Sequence, residues 1–138
     1  MTTVLFACVH NAGRSQIAAA LFNRYANPGK ARAISAGTQP AERVHPEVVT
    51  AMKACGIDLS TETPQRLTPE LASTASWLIT MGCGDECPVV AGTHRVDWAI
   101  EDPKGQARSV VDGVIGDVDT RVRRLIDEQG WGRTVIPR

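Results

Sequence analysis

The sequence predicts an α/β fold with a parallel β-sheet flanked by helices. Short apolar runs of strand character alternate along the chain with segments whose apolar residues recur at helical spacing. Such alternation is typical of parallel sheets with right-handed crossovers. The first run, residues 2–7, is almost entirely apolar, as expected of a central strand covered on both faces. The length of 138 residues favours one domain, which we expect to span residues 1–138.

A short loop joins the first strand to the first helix, and we expect it to bind a tetrahedral oxyanion. A strand–turn–helix junction directs several N–H groups to one point at the positive end of the helix dipole. The residues that we predict to bind the anion follow Cys8 directly in the sequence: they are Val9, His10, Asn11, Ala12, Gly13, Arg14 and Ser15.

Side chains of the same loop are suited to nucleophilic chemistry. The guanidinium of Arg14 can bind two oxygens of an anion at once. Together with the N–H groups and the Ser15 hydroxyl, it would stabilise Cys8 as a thiolate, the nucleophilic form. The alternative is that Cys8 is a buried cysteine at a strand end and Arg14 a charge at a helix start. A nucleotide P-loop is excluded, since no Gly-Lys-Ser/Thr ends the loop.

The next elements follow from apolar spacing and from turn residues. The first helix begins near Arg14 and ends at Asn27-Pro28-Gly29. A short second strand covers about residues 32–35. The second helix starts at His45-Pro46 and is ended by Gly56. Its apolar stripe predicts that Cys55 is a core residue; the stripe comprises Val48, Val49, Met52 and Cys55.

The second half of the chain predicts two more strands and two helices. After a loop over residues 57–67, Thr68-Pro69-Glu70 begins a short helix. Residues 76–81 and 94–100 are the third and fourth predicted strands. The last helix covers residues 109–129, and its first half is expected to be irregular. Glycines 113 and 116 within it cost about 1 kcal/mol each relative to alanine.

Three reactive side chains follow the ends of predicted strands. Ligands of open α/β sheets bind beyond the carboxyl ends of strands, where the strand order reverses. Cys8, Cys83 and Asp102 follow the first, third and fourth strands, so we expect them at one edge of the sheet. Asp102 precedes Pro103, which restricts the local backbone, and a carboxylic acid there can protonate a departing oxygen. The alternative is an aspartate that only begins a loop.

Cys83 and Cys87 have a spacing compatible with a disulfide. Residues four apart on a helical turn have Cβ atoms about 5–6 Å apart. This is close to the disulfide range, and Gly82 and Gly84 permit the remaining backbone adjustment.

The pattern C-x5-R-S after a first strand resembles the superfamily of low-molecular-weight protein tyrosine phosphatases and of the arsenate reductases that share their fold. Asn11 within the loop and the Ser-Ala-Gly-Thr of residues 35–38, which backs the anion loop in that superfamily, match it as well. The resemblance covers about residues 2–130. It implies four parallel strands in the order 2-1-3-4, flanked by helices. It also implies that Asp102 is the general acid.

Cys8, Cys83 and Cys87-Pro88 resemble the thioredoxin-coupled arsenate reductases in particular. That resemblance implies that Cys8 attacks arsenate, that a Cys8–Cys83 disulfide releases arsenite, and that Cys87 then forms a disulfide with Cys83, which thioredoxin reduces. Phosphate or sulfate fits the same loop. Two features depart from the family. Some members have a longer segment between the second and third cysteines, whereas here only three residues separate Cys83 from Cys87. Ala18-Ala19-Ala20 stand where potassium-binding members carry an acidic residue, so we expect no potassium dependence.

Three alternatives to this function remain. A low-molecular-weight phosphatase would need aromatic walls for an aryl phosphate, yet no tyrosine follows Pro103 and the chain has one Tyr and two Phe. A reductase using Cys8 alone would pass arsenic to mycothiol or glutathione and a glutaredoxin-like protein. A protein that is not an enzyme could hold zinc at Cys83 and Cys87 with His94 and another ligand, or could merely sense an oxyanion. The zinc site would need a second short motif, which the sequence lacks. We therefore expect neither a metal nor a cofactor.

The amino-acid composition limits the classes of binding partner and the cellular compartment that we expect. Fifteen basic and fifteen acidic residues give a formal net charge of zero, so we expect no nucleic-acid and no membrane partner. The apolar runs are too short to span a membrane and the N-terminus lacks a signal-peptide pattern, which predicts a cytoplasmic protein. Four cysteines in that compartment favour catalytic, metal-binding or core roles over structural disulfides.

Overall fold

The computed structural model of the chain describes residues 1–82 and 92–133. In this part of the chain four parallel strands form one sheet in the order β2-β1-β3-β4, which confirms the predicted α/β class and strand order. The elements, in chain order, are β1 (Thr2–Cys8), α1 (Arg14–Tyr25), β2 (Ala31–Gly37), α2 (Pro46–Ala54), α3 (Pro69–Ser73), β3 (Trp77–Thr80), β4 (His94–Asp97) and α4 (Arg108–Gln129).

Strand β1 is the centre of the sheet and carries the site at its carboxyl end. It pairs with β2 from Thr2 to Cys8 and with β3 from Val4 to Ala7. Because successive side chains of a strand point to opposite faces, β1 contributes to two apolar clusters. The larger cluster also contains the buried faces of α1, α2 and α4, and the smaller one contains Ala72 of α3. Both faces of β1 are therefore covered, as its apolar sequence predicts.

Helix α4 is continuous, so the expected irregularity in its first half is wrong. Gly113 and Gly116 lie on its exposed side, where a Cβ would meet nothing within 4 Å. Burying each valine or isoleucine of the opposite stripe contributes about 1.5–3 kcal/mol, which outweighs the cost of two glycines. Although α4 is the longest helix, neither it nor any other helix in the described ranges is both long and apolar enough to cross a bilayer.

Cys55 is exposed, so its predicted place in the core is wrong. Helix α2 ends at Ala54, and the N–H of Cys55 donates to the carbonyl of Met52 (2.9 Å). Gly56 then turns the chain away with φ +84°. The apolar stripe therefore ends at Met52, because Cys55 lies beyond the last helical residue and its side chain does not continue the buried face of α2. The fourth strand is also shorter than predicted and ends at Asp97 instead of residue 100.

Candidate active site

The loop between β1 and α1 turns its carbonyl groups towards donors of the surrounding protein. All six carbonyls from Cys8 to Gly13 accept a hydrogen bond. The donors are Thr38 N to Cys8 O (3.2 Å), Gln39 N to Val9 O (2.7 Å), Ala41 N to His10 O (2.9 Å), Gln16 Nε2 to Asn11 O (3.1 Å), His45 N to Ala12 O (2.8 Å) and Ile17 N to Gly13 O (3.0 Å).

The N–H groups of the loop consequently point the other way. In a planar trans peptide the N–H lies opposite the carbonyl of the preceding residue. Within residues 1–82 and 92–133, the N–H groups of residues 9–13 donate to no protein atom. The first N–H groups of α1 also lack partners within the helix, and its first turn carries no acidic side chain. This arrangement offers an anion a set of main-chain donors and the positive end of a helix dipole.

Two residues allow the loop to close this tightly. A Cβ atom at Gly37 would lie 2.6 Å from the Val9 carbonyl oxygen and 2.8 Å from the Asn11 nitrogen, so only glycine lets β2 approach the loop. The end of β2 thus backs the loop. Asn11 has φ +49°, a left-handed conformation that asparagine adopts more readily than most residues.

The sulfur of Cys8 lies at the end of a buried chain of hydrogen bonds. Its Sγ atom is 2.9 Å from the Ser15 hydroxyl oxygen, and the side-chain amide of Asn11 donates to the same oxygen (2.8 Å). Cys8 is 2% exposed, while Asn11 and Ser15 are completely buried. Because the serine oxygen accepts from Asn11, its own proton can be donated to the sulfur.

Arg14 and Asp102 meet beside this loop. The Nη2 atom of Arg14 is 3.7 Å from Oδ2 of Asp102, and Nη1 donates to the carbonyl of Ile100 (3.4 Å). The arginine side chain is 11% exposed and the carboxylate 45%. Tertiary structure thus brings the predicted general acid next to the predicted anion-binding guanidinium, with the carboxyl group accessible from solvent.

The predicted Cys83 and Cys87 lie outside the described residues. Gly82, the residue before Cys83, lies against Arg14, since a Cβ there would be 2.5 Å from Nη1. Within residues 1–82 and 92–133, no three His, Cys, Asp or Glu side chains form a group that could bind a metal ion.

His45 and Pro103 border the loop at Gly13. A Cβ at Gly13 would lie 3.2 Å from Pro103 Cγ and 3.4 Å from His45 Cδ2, and the rings of His10 and His45 are 6.4 Å apart. Burial lowers the pKa of His45, and the negative charges of Glu47 and Asp102 act against this shift. The imidazole at this rim is therefore mainly neutral at pH 7.

Sequence reasoning missed three residues of this environment: His45 at the rim, and Gln16 and Gln65 around Asn11. The sequence predicts His45 only as the residue that begins α2, and the structure places it there as the N-cap. Gln16 is 5% exposed. A glutamine on the otherwise apolar inner face of α1, next to Ser15, is the one signal that could have identified it.

The arrangement of residues agrees with a family defined by sequence. Residues 3–131 match the family described as low molecular weight phosphotyrosine protein phosphatase. This chain belongs to that family. Among its relatives in the family, a "Glutaredoxin arsenate reductase" of Synechocystis sp. is 36% identical over 129 residues, which are 91% of this chain and 97% of that protein. "Arsenate reductase 1" of Bacillus cereus is 32% identical over 129 residues, covering 91% of this chain and 94% of that protein.

Solved structures of low-molecular-weight phosphatase fold agree with the architecture. The thioredoxin-dependent arsenate reductase of Corynebacterium glutamicum is 38% identical, with a TM-score of 0.79 over 93% of this chain. Our chain spans 61% of that longer chain. A structure described as an arsenate reductase in the oxidized state is 34% identical, with a TM-score of 0.81, and covers 93% of this chain and 98% of its own.

Replacing Gly82 with alanine is expected to weaken the binding of inorganic phosphate about tenfold, the size of one hydrogen bond to a charged group. The new Cβ would lie 2.5 Å from Arg14 Nη1 and displace the guanidinium from the loop. Isothermal titration calorimetry with phosphate measures the loss. Gly130→Ala is the matched control, because Gly130 also has positive φ (+72°) but a Cβ there meets nothing within 4 Å. Equal phosphate affinity in the two variants would contradict the expectation.

Proposed function

We propose that this protein reduces arsenate to arsenite, with Cys8 as nucleophile and Cys83 and Cys87 as a disulfide relay regenerated by thioredoxin. The observation that carries the proposal is the 2.9 Å contact between Cys8 Sγ and the Ser15 hydroxyl, within a loop whose main-chain N–H groups have no protein partner among the described residues. A thiolate and an oxyanion site then share one loop. The names of the Synechocystis, Bacillus and Corynebacterium proteins support arsenate as the substrate.

In the first step the Cys8 thiolate attacks the arsenic atom of arsenate. The N–H groups of the loop and the two-pronged guanidinium of Arg14 bind the arsenate oxygens and neutralise their charge. One arsenic–oxygen bond breaks, and Asp102 donates the proton with which this oxygen leaves as water. The 3.7 Å separation of Asp102 from Arg14 supports this role, because a carboxyl group there lies beside an anion bound to the guanidinium. The product is an arsenic ester of Cys8.

The second step transfers the electrons. The Cys83 thiolate attacks the Cys8 sulfur, the sulfur–arsenic bond breaks, and its electron pair stays on arsenic, which leaves as arsenite. Cys87 then attacks Cys83, so that Cys8 is released as a thiolate and the disulfide lies between Cys83 and Cys87. In sum, two thiols and two protons convert one hydrogen arsenate into one disulfide, one arsenous acid and one water. A thioredoxin dithiol reduces the disulfide and completes the cycle.

Phosphate chemistry would not need the second and third cysteines. A phosphorylated Cys8 is released by water, and phosphorus takes up no electrons in that step. Gly82 lies against Arg14, and the next residue in the chain is Cys83, so a second thiol follows directly on the anion site in sequence. This order of residues in the sequence supports reduction over hydrolysis. The Synechocystis relative is named a glutaredoxin arsenate reductase, which makes a Cys8 reaction with glutathione and glutaredoxin the second candidate.

The relay is tested by mixing the reduced protein with arsenate, without any external reductant, and mapping disulfides by mass spectrometry. We expect about one arsenite per chain, because the formation of one disulfide releases the two electrons that reduce one arsenate. The wild type should contain a Cys83–Cys87 disulfide, and a Cys87→Ser variant a Cys8–Cys83 disulfide. Cys55→Ser is the matched control, because this exposed thiol has no role in the relay.

The reductant is identified in a steady-state assay with either thioredoxin or glutathione plus glutaredoxin. Thioredoxin should support turnover of the wild type and not of Cys83→Ser. Turnover of Cys83→Ser with glutathione and glutaredoxin would favour the second candidate. Hydrolysis of an aryl phosphate at a rate comparable to arsenate reduction would instead favour a phosphatase.

A further inference from the structure

The side chain of Asn11 forms hydrogen bonds at both its oxygen and its nitrogen, and their direction determines whether the Ser15 hydroxyl can donate its proton to the Cys8 sulfur. Its Oδ1 atom accepts from the main-chain N–H of Gln65 (2.9 Å) and from Nε2 of Gln16 (3.3 Å). Its Nδ2 atom donates to the Ser15 hydroxyl oxygen (2.8 Å). A main-chain N–H is always a donor, so the Gln65 bond fixes Oδ1 on that side and Nδ2 on the Ser15 side.

Gln16 adds to the same orientation from the first turn of α1. With Nε2 it donates to both Asn11 Oδ1 and the Asn11 carbonyl (3.1 Å). If its amide were reversed, an oxygen would face both acceptors. Gln16 is 5% exposed and Asn11 is completely buried, so water cannot easily replace these bonds. Gln16 therefore stabilises Asn11 in its left-handed conformation and in the orientation that donates to Ser15.

We propose that Gln16 is a positioning residue that, together with the Gln65 N–H, maintains the direction of the hydrogen bonds running from Asn11 through Ser15 to the Cys8 sulfur. Because Ser15 Oγ accepts from Asn11, its proton is left for the sulfur, 2.9 Å away. Gln16 hydrogen-bonds to Asn11 and, among the described residues, not to the Cys8 sulfur, and it lies outside the C-x5-R-S loop. The inference rests on the proposed role of Cys8 as the nucleophile, but it concerns the reactivity of the thiol and not the fate of arsenic.

Gln16→Glu tests the direction of the hydrogen bonds that run from Asn11 through Ser15 to Cys8. The substituted carboxylate has the same shape but only accepts, so it favours the reversed Asn11 amide with Nδ2 towards residue 16. Asn11 Oδ1 then faces Ser15, whose proton turns to that oxygen and away from the sulfur. We expect the alkylation of Cys8 by iodoacetamide at pH 7 to slow about tenfold, and its pH profile to move to higher pH, as for the loss of one hydrogen bond to a charged group.

The measurement uses a background of Cys55→Ser, Cys83→Ser and Cys87→Ser, in which Cys8 is the only thiol. Gln16→Glu is compared with Ser15→Ala and with both changes together. If Gln16 acts through Ser15, it has little effect once Ser15 is alanine, whereas a merely structural role slows alkylation equally in both backgrounds. Gln129→Glu, on the exposed side of α4, is the matched control for the added charge and should leave the profile unchanged.

Equal effects in the two backgrounds, or an unchanged profile of folded Gln16→Glu, would overturn the proposal. Gln16→Met is measured in parallel. Methionine also lacks the hydrogen-bond donor but adds no charge, so this variant should fold even if the buried carboxylate of Gln16→Glu prevents folding. Gln16→Met should slow the alkylation of Cys8 in the protein that retains Ser15 and should have little effect in the Ser15→Ala protein. These measurements use no arsenate, so they are independent of the disulfide mapping. If the mapping shows no relay but the alkylation of Cys8 depends on Gln16 through Ser15, the proposed function is refuted and the role of Gln16 is not.

Discussion

Cys8→Ser is expected to abolish arsenite formation, a loss of at least about 10⁴-fold for removal of an essential nucleophile. The serine hydroxyl is a far weaker nucleophile at neutral pH than a thiolate. More importantly, it cannot form a disulfide, so the two electrons that arsenic requires have no source at this position. Arsenite release, measured with thioredoxin, its reductase and NADPH, reports the loss.

Phosphate binding distinguishes a lost nucleophile from a lost site. The proposed anion donors are main-chain N–H groups and Arg14, and serine fits the space of cysteine, so Cys8→Ser should bind inorganic phosphate within about threefold of the wild type. Cys55→Ser removes an exposed thiol at the end of α2 and should keep full activity. Arsenite formation by Cys8→Ser at a tenth of the normal rate would refute Cys8 as the nucleophile.

Arg14→Lys should reduce arsenate turnover about a hundredfold, the size typical of losing a donor that stabilises transition-state charge. Lysine retains the positive charge, but its ammonium is a single point and cannot bind two oxygens in one plane. It also cannot reproduce the two contacts of the guanidinium, Nη1 with the Ile100 carbonyl and Nη2 with Asp102. Steady-state kcat/KM for arsenate, with thioredoxin in excess, measures the change.

Arg24→Lys is the control for Arg14→Lys, because Arg24 lies on the same helix and is exposed, and its guanidinium donates to the Cys55 carbonyl (2.7 Å). We expect the kcat/KM of this variant to match the wild type. Thermal unfolding of both variants shows whether the fold is retained. An Arg14→Lys enzyme within threefold of the wild type would mean that charge alone suffices and that the two-pronged geometry has no catalytic role.

Much of the fold and part of the site follow from local sequence. The alternation of strand and helix signals, the apolar β1 and the glycine-containing loop before α1 are properties of short segments, and each segment folds as its own pattern predicts. The position of Cys8 and Arg14 in one loop is of the same kind, because seven consecutive residues already bring them together. The resemblance carried by C-x5-R-S adds the strand order, which the structure confirms.

The remaining features depend on residues that are distant in sequence. The exposure of Cys55 follows from where α2 ends, and the continuity of α4 from how much of its apolar stripe is covered. The approach of Asp102 to Arg14, of Gly37 to the loop and of the Gln65 N–H to Asn11 each joins separate elements. Periodicity and motifs act within a few turns of chain, whereas these contacts depend on how the elements pack. Local sequence alone thus determined that Cys8 and Arg14 share one loop, and only tertiary packing decided which groups surround and orient them.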